Sequence, residues 1–414
     1  MTVQTTKLAE DTGHRCVLTN VAEVRQAVAS VADLIAERRS SVDADRVVSA
    51  EVIDALRAAG LFGVVGARRF GGSEAGVEAL VQGTIDIARQ CGSTGWVYGV
   101  LAGHSWMLNL FPAKTQQEMA ERPGELVATV FRLGGEARTV EGGYRIEGGF
   151  GRFCSGVDHA SWVIVGTTVQ REGAAPDQRF MLVPKSDIRV VDDWHTLGMR
   201  GTGSRSIEVP DAFVPEHRSV SLKDLVAGTS PGADIHERAI YRLSFGDVTP
   251  FSIVGAPLGM ALGAVDNFAE ELRRSRGESD DVPYQDARFL RLAKAAADID
   301  AAVNLVLSDA RRIDALDDPA ALDEVARREL PRNWAWAVQT CRDAVNQLYE
   351  ATGGSAIYNS SDFQRIWRDI NSSAQHFGFT EDKAMIDYAR ARLGLKPEQF
   401  IIQKAKRNPP APAS

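Results

Sequence analysis

Residues 194–204 read Trp-His-Thr-Leu-Gly-Met-Arg-Gly-Thr-Gly-Ser, a polar, glycine-rich stretch between hydrophobic segments. Residues 206–209, Ser-Ile-Glu-Val, follow it with the pattern of a strand. A dinucleotide-binding GxGxxG loop lies after a strand and opens a helix, so the order found here argues against a Rossmann domain. The stretch instead predicts a loop that leads into a β-rich part of the chain.

Short β-type segments lie around this loop, over residues 124–230. They are separated by Gly, Pro and Asp, which favour turns. Their length and spacing predict a compact antiparallel β-barrel or sandwich. The clearest segments are LVATVF, YRIEG, SWVIVGTTV, RFMLVP and RSIEV.

Helical patterns flank the β-rich segment on both sides. Apolar residues recur at helical spacing over 21–123, where Ser49 is a candidate N-cap and Gly60 a candidate helix end. Long helices with few breakers return over 231–395. We expect residues 1–20 to be a flexible N-terminus and the proline-rich residues 396–414 to be a tail. The order is helical, β and helical, and ligands tend to bind where such domains meet.

Composition excludes several classes of function. The chain has 414 residues, 47 Lys+Arg and 55 Asp+Glu, for a net charge of −8, so no basic surface for nucleic acid or anionic membrane is indicated. No apolar run approaches the ~20 residues of a membrane span, and the first residues lack a secretory pattern. We therefore expect a cytoplasmic protein.

The sequence lacks the common catalytic and metal-binding motifs. It contains no P-loop, no HExxH and no GxSxG. Its four cysteines are scattered without a CxxC, and its seven histidines show no metal-ligand spacing, so no metal site is predicted. Zinc hydrolases and serine hydrolases are disfavoured.

Four polar, glycine-rich and aromatic segments, in this order, resemble the acyl-CoA dehydrogenase fold: residues 91–106, 151–162, 194–204 and 353–377. Residues 60–72 resemble its early glycine turn, residues 197–200 with 213–215 its mid-barrel signature, and residues 353–369 its late helix. The resemblance covers roughly residues 22–395. It implies a mainly α protein with an N-terminal helical domain, a middle antiparallel β-barrel and a C-terminal four-helix bundle.

One departure from that family determines the predicted function. The dehydrogenases carry a catalytic glutamate shortly after the late Arg-Asp pair, which is Arg368-Asp369 here, but residues 371–378 contain no carboxylate. Removal of an α-proton from a thioester needs such a base. With His376 in this interval, and with His104 and the Phe-Cys-Ser-Gly segment at 153–156, the chain is similar to the oxygenase components of two-component flavin monooxygenases. These include the p-hydroxyphenylacetate and secosteroid phenol hydroxylases.

The resemblance implies hydroxylation of a phenolic or polycyclic aromatic substrate. The cofactor would be reduced flavin, FMNH2 or FADH2, which forms a C4a-hydroperoxyflavin with O2 as co-substrate. Because the chain has no recognisable nicotinamide-binding element, a separate NAD(P)H:flavin reductase would supply the reduced flavin. The family also implies a homotetramer.

The resemblance also assigns site residues. The catalytic residues would be His104, His376 and Ser155, with Ser155 near the flavin N5 and the two histidines as an acid–base pair whose individual roles stay open. The cofactor-binding residues would be Trp96, Phe153, Cys154, Ser155, Arg273, Gly353, Gly354, His376 and Phe377, with Arg273 reaching a flavin phosphate.

Purely structural interpretations of these residues, and other reactions on the same fold, remain open from the sequence. Trp96 and Cys154 have the character of core residues, Ser155 of a turn residue, and Arg273 of a solvated helix face. The same scaffold supports N- or S-oxygenation and acyl-CoA oxidation. A flavin-binding protein without turnover is the alternative from a different class.

Overall fold

A computed structural model describes residues 16–171, 173, 175–276 and 287–395. The predicted tail therefore lies outside the described residues, as does most of the predicted flexible N-terminus. The N-terminal part is helical, as predicted. Its helices are α1 (Val21–Ala29), α2 (Ala32–Asp45), α3 (Ala50–Ala58), α4 (Val77–Gln90), α5 (Gly92–Leu108) and α6 (Ala113–Ala120).

Helix α5 forms the centre of the molecule and is buried on almost every side. Its glycines allow neighbouring helices to approach closely. A Cβ added at Gly99 would lie 2.2 Å from the backbone oxygen of Ser252, and one added at Gly95 would lie 2.4 Å from the Cβ of Ala88. A helix without a polar face belongs in a core. Every side chain on α5 is therefore held by its surroundings.

The described residues in the middle of the chain form one eight-stranded sheet. The strand order is β6-β7-β3-β2-β4-β5-β8, and β1 pairs with β4. Strand β4 runs parallel to β1 and β2, and the other pairs are antiparallel. The sheet is thus mixed, whereas the sequence predicted an antiparallel barrel. The strands are β1 (Val127–Val130), β2 (Glu136–Val140), β3 (Gly143–Cys154), β4 (Trp162–Gln170), β5 (Asp177–Pro184), β6 (Arg189–Val191), β7 (Arg205–Pro215) and β8 (Ser219–Ser221).

Helices return directly after β8 and include the predicted C-terminal bundle. Helices α9, α10 and α11 pack against one another, and α12 and α13 pack on them. The apolar stretch Phe245–Ser275 is long enough to cross a membrane, but 78% of its most apolar window is buried inside the protein, so it is a core helix. The helices are α7 (Leu222–Ala227), α8 (Phe245–Val248), α9 (Phe251–Arg276), α10 (Ala287–Asp314), α11 (Glu324–Thr352), α12 (Asp362–Ser373) and α13 (Glu381–Arg392).

Candidate functional site

The end of β3 presents an exposed aromatic ring on a strained backbone. The register between β3 and β7 shifts between Gly151 and Cys154. Within this bulge Phe153 has a φ of 65°, in the left-handed region that a residue with a Cβ rarely adopts, and its side chain is 68% exposed. Strain of this kind is concentrated at functional sites, where the surrounding structure maintains it.

Cys154 lies next to Phe153, but its side chain is fully buried in the hydrophobic core. Burial raises the pKa of its thiol, so the group stays protonated. The plainer interpretation, a small buried residue, describes this side chain. It forms part of the core and not of the surface on which Phe153 lies.

Ser155, Trp96 and His376 come together from three parts of the chain. Trp96 on α5 donates its indole N–H to Ser155 Oγ at 3.3 Å. The rings of Trp96 and His376 meet edge to face, with centroids 5.6 Å apart. His376 lies in the connection between α12 and α13. The helical domain, the sheet and the C-terminal bundle thus each contribute one of these three side chains.

His376 is oriented by its own turn. Its Nδ1 accepts the backbone N–H of Gly378 at 3.1 Å and caps the turn Phe377–Phe379. Burial lowers the pKa of His376 to about 4, so the ring is neutral at pH 7. Because Nδ1 is an acceptor, the ring proton is on Nε2, and the free side of the ring is a hydrogen-bond donor. Phe377, also a predicted site residue, lies beside it and is 61% exposed.

His104 has the opposite arrangement. It is buried on α5, and its Nδ1 lies 2.6 Å from the backbone oxygen of Val127. A carbonyl only accepts, so Nδ1 carries the proton and Nε2 is left with a free lone pair. Burial lowers the pKa of His104 to about 4, which keeps the ring neutral. A small cavity of ≈ 10 Å³, the size of one water molecule, adjoins the ring and is also lined by Trp106, Phe251 and Ser252.

The two histidines do not touch each other in the part of the chain that the structure describes. His104 is eight residues from Trp96, or about 12 Å along α5. The first turn of α9 lies against both histidine segments. A Cβ added at Gly103 would lie 2.5 Å from Ser252 Cβ, and one added at Gly378 would lie 3.9 Å from Ile253 Cδ1. The segments that carry His104 and His376 therefore both pack against the start of α9.

The glycine-rich loop that opened the sequence analysis forms the other wall of the site. Trp194 packs edge-on against Phe153, with ring centroids 6.1 Å apart, and donates its indole N–H to the backbone oxygen of Met199 at 3.0 Å. Ser204 Oγ lies 2.7 Å from Ser155 Oγ. The sequence identified this stretch as significant but assigned no site residue within it. The signal was its hydroxyl and aromatic side chains among closely spaced glycines.

Helix α12 holds this loop in place. The buried carboxylate of Asp369 accepts the backbone N–H of Met199 at 2.5 Å, and Arg368 donates to the backbone oxygen of Leu197 at 2.7 Å. Gly198 lies so close that an added Cβ would be 2.2 Å from the backbone oxygen of Arg368. Burial raises the pKa of Asp369 to about 6. The late Arg-Asp pair therefore positions the loop and does not face the site.

Arg273, Gly353 and Gly354 lie apart from this cluster, towards the end of α9 where Ser355 donates to Glu271 at 3.5 Å. Arg273 is exposed near the end of α9 and pairs with Glu270 at 3.3 Å. Gly353 ends α11 with a φ of 70°, and nothing lies within 4 Å of a Cβ added to it or to Gly354. Arg273 is twenty residues beyond Ile253, or about 30 Å along α9. We call Ser155, Trp96 and His376 the Ser155 cluster. Within one chain, this cluster lies at one end of α9, and Arg273, Gly353 and Gly354 lie at the other.

Comparison with family models places both helical parts of the chain in one family. Residues 21–120 match the N-terminal domain of acyl-CoA dehydrogenase, and residues 251–381 match its C-terminal domain.

Characterised relatives match nearly end to end. The oxygenase subunit HsaA, a flavin-dependent monooxygenase of Mycobacterium tuberculosis, is 30% identical over 92% of this chain and 98% of its own length. The oxygenase component of a FADH2-dependent resorcinol hydroxylase from a Rhizobium species is 32% identical over 90% of this chain and 94% of its own.

Solved structures agree with these matches. The crystal structure of HsaA from M. tuberculosis superposes with a TM-score of 0.86 at 30% identity, and covers 92% of this chain and 99% of that chain. The Streptomyces protein XiaF, solved with FADH2 and glycerol, has a TM-score of 0.81 at 26% identity, and covers 93% of this chain and 97% of that one.

Proposed function

This chain belongs to the acyl-CoA dehydrogenase family and is a flavin-dependent monooxygenase within it, and from that premise we propose how its residues act. It is the oxygenase component of a two-component system and hydroxylates a phenolic substrate with reduced flavin and O2. His104 accepts a hydrogen bond from the phenol O–H, and His376 donates a hydrogen bond to the oxygen that is transferred. The observation that carries this proposal is the opposite tautomers of the two histidines.

The residues around Ser155 fit a flavin ring. Phe153, Leu197 and Phe377 are 68%, 63% and 61% exposed, although large apolar side chains are normally buried. Beside them Ser155 offers a hydroxyl, partly exposed and anchored by Trp96. Exposed apolar side chains with a polar group among them suit a tricyclic ring whose reactive edge carries nitrogen. Bound reduced flavin would supply the electrons that activate O2, and O2 would supply the oxygen atom for hydroxylation.

The tautomers assign separate roles to the histidines. His104 presents the Nε2 lone pair and is the acceptor for a phenol O–H, which makes the aromatic ring more nucleophilic. His376 presents Nε2–H and can only donate while it is neutral. Since the pKa of each ring is about 4, both roles persist throughout the physiological pH range. A substrate between the rings would lie against the first turn of α9.

Two features of the relatives support proposals about which flavin this chain uses and how it is supplied. The Rhizobium enzyme is named for FADH2, and XiaF was solved with it, which favours FADH2 over FMNH2 here. Both HsaA and the Rhizobium enzyme are oxygenase subunits or components, so a separate flavin reductase delivers the reduced flavin. We place both proteins in the cytoplasm, where NAD(P)H is available.

A homotetramer would account for the exposed apolar side chains of the C-terminal helices. Leu290 is 73% exposed, Ile357 69% and Tyr358 67%, at the end of the bundle where Arg291 donates to the backbone oxygen of Gln347, and exposed apolar side chains of this kind serve protein–protein contact. Arg273, Gly353 and Gly354 lie at the same end of the bundle. We propose that they bind the flavin of a neighbouring subunit, since they are too far from Ser155 in their own chain.

The histidine assignment is tested with FADH2 prepared without oxygen, followed by O2, with resorcinol and p-hydroxyphenylacetate as probes. Wild type should form hydroxylated product. His104→Ala and His376→Ala should each lose about 10²-fold or more of the product and release H2O2 instead. His217→Gln, which changes a histidine paired with Glu118 away from the site, is the control and should retain the yield.

Alkaline pH separates the two roles. As the pH approaches the phenol pKa of about 10, the substrate ionises without help, so His104→Ala should recover product while His376→Ala should not. Equal recovery, or none in either variant, would contradict the assignment. Anaerobic bleaching of the flavin by an acyl-CoA would contradict the proposed function itself.

A further inference from the structure

Ser155 is the outer end of a chain of hydroxyl groups that leads into the protein. Ser155 Oγ lies 2.7 Å from Ser204 Oγ, which lies 2.7 Å from Thr202 Oγ1, which lies 2.8 Å from the backbone oxygen of Met199. Ser204 and Thr202 are 5% and 2% exposed, whereas Ser155 is partly exposed. The two segments are also joined by the backbone, since Gly156 N–H donates to the oxygen of Thr202 at 3.0 Å. We call Ser155, Ser204 and Thr202 the hydroxyl relay.

The direction of every hydrogen bond in the relay follows from its inner end. A backbone oxygen only accepts, so Thr202 donates its proton to Met199. Ser204 must then donate to Thr202, and Ser155 must donate to Ser204, because each contact needs one proton and three hydroxyls supply three. Any other arrangement leaves two oxygens facing each other at 2.7–2.8 Å without a proton between them.

Ser155 is therefore left as an acceptor towards the site. Its proton is directed at Ser204, one lone pair accepts the indole N–H of Trp96, and one lone pair remains. A ligand atom at this position must be a donor. Reduced flavin carries hydrogen on N5, while oxidised flavin has a lone pair there.

We propose that Ser204 and Thr202 are positioning residues that fix Ser155 as a hydrogen-bond acceptor and thereby make the site prefer reduced over oxidised flavin. This inference rests on the proposed function, because it places the N5 edge of the flavin at Ser155. With reduced flavin, the N5 hydrogen meets the free lone pair. With oxidised flavin, two acceptors meet, and a buried polar group without a partner weakens binding.

Substitution of Thr202 tests the relay without removing a group that contacts ligand. In Thr202→Val, Ser204 loses its acceptor, donates back to Ser155, and so frees the Ser155 proton to point at the ligand. The Met199 oxygen keeps the indole N–H of Trp194 as a partner, so no carbonyl is orphaned. Thr202→Ser retains the hydroxyl and is the matched control. Ser204→Ala should behave as Thr202→Val does. Ser206→Ala removes a buried hydroxyl of β7 that donates to Asp193, and it controls for the general effect of losing a buried hydroxyl.

The measurement is the ratio of dissociation constants for FAD and for FADH2, the latter under anaerobic conditions. The ratio should fall about tenfold in Thr202→Val and Ser204→Ala and stay at the wild-type value in Thr202→Ser and Ser206→Ala. The potential of the bound flavin should fall by the equivalent of about 30 mV in the two relay variants. An unchanged ratio in both relay variants would overturn the proposal while the monooxygenase function stands. Failure of wild type to bind FADH2 would instead contradict the proposed function.

Discussion

Phe153 combines two features that stability alone does not favour, an exposed ring and a left-handed backbone. An L-residue in that conformation costs roughly 1–2 kcal/mol, and glycine avoids most of this cost. The packing of Trp194 against the ring offsets only part of the strain, because two thirds of the ring remains exposed. The position therefore has a purpose other than folding, and we assign that purpose to the flavin.

Substitution of Phe153 should separate stability from binding. Phe153→Gly should unfold at higher denaturant concentration than Phe153→Ala, by about 1 kcal/mol in the free energy of unfolding, because both lose the ring but only glycine relieves the strain. Both variants should bind FADH2 more weakly than wild type. The checks are urea unfolding and anaerobic FADH2 titration. Equal stability of the two variants would mean that the backbone is not strained, and unaltered affinity would mean that the ring does not contact flavin.

The sequence indicated several residues that the structure brings together, but not the residues beneath them. Trp96, Ser155 and His376 were identified because they lie in segments that resemble a known family, and the structure brings them together. Ser204 was not identified, because the contact between its hydroxyl and that of Ser155 spans 49 residues of sequence and depends on the register of β3 and β7. Cys154 and Phe153 are adjacent in sequence, yet a bulge exposes one and buries the other. Spacing along the chain does not encode such pairings.

At the scale of elements, the site depends on α12 holding the glycine-rich loop. Helix α12 acts on the backbone of this loop, since Asp369 accepts the N–H of Met199 and Arg368 donates to the oxygen of Leu197. The sequence indicated both, the helix by its resemblance to the family and the loop by its closely spaced glycines. It could not predict their contact, nor the parallel pairing of β4 with β1, because hydrophobic patterns do not specify strand direction or the partner of a helix.

Because Asp369 holds the glycine-rich loop from a buried position, part of the free energy of unfolding depends on pH. Burial raises the pKa of Asp369 to about 6, above its unfolded value of about 3.9, so its contribution is fully present below pH ~4 and is lost as pH rises through 6. Asp369→Asn keeps an oxygen for the Met199 N–H but cannot ionise. Relative to wild type, this variant should gain about 2 kcal/mol in the free energy of unfolding between pH 4 and pH 7. Parallel stability curves for the two proteins, measured by urea unfolding across that range, would contradict this account.

At the scale of the whole molecule, the flavin site that we propose is divided between the two ends of α9. The Ser155 cluster and the Arg273–Gly353 end lie about 30 Å apart along α9, and the apolar side chains near the second end are exposed. If a neighbouring subunit supplies Arg273, assembly and flavin binding must be coupled, since loss of the interface removes a phosphate ligand. A tetramer in which each subunit bound flavin with its own residues alone would not show that coupling.

This coupling is tested by placing charge on the exposed apolar surface of the bundle. The double variant Leu290→Glu, Ile357→Glu should dissociate from a tetramer into smaller species in light scattering and should bind FADH2 about tenfold more weakly. Val226→Glu, at a side chain that is 49% exposed on α7, is the control and should change neither property. Arg273→Gln should weaken FADH2 binding while the tetramer stays intact, because it removes the guanidinium without altering the apolar contact. A dissociated double variant with wild-type affinity for FADH2 would show that each chain binds its flavin alone.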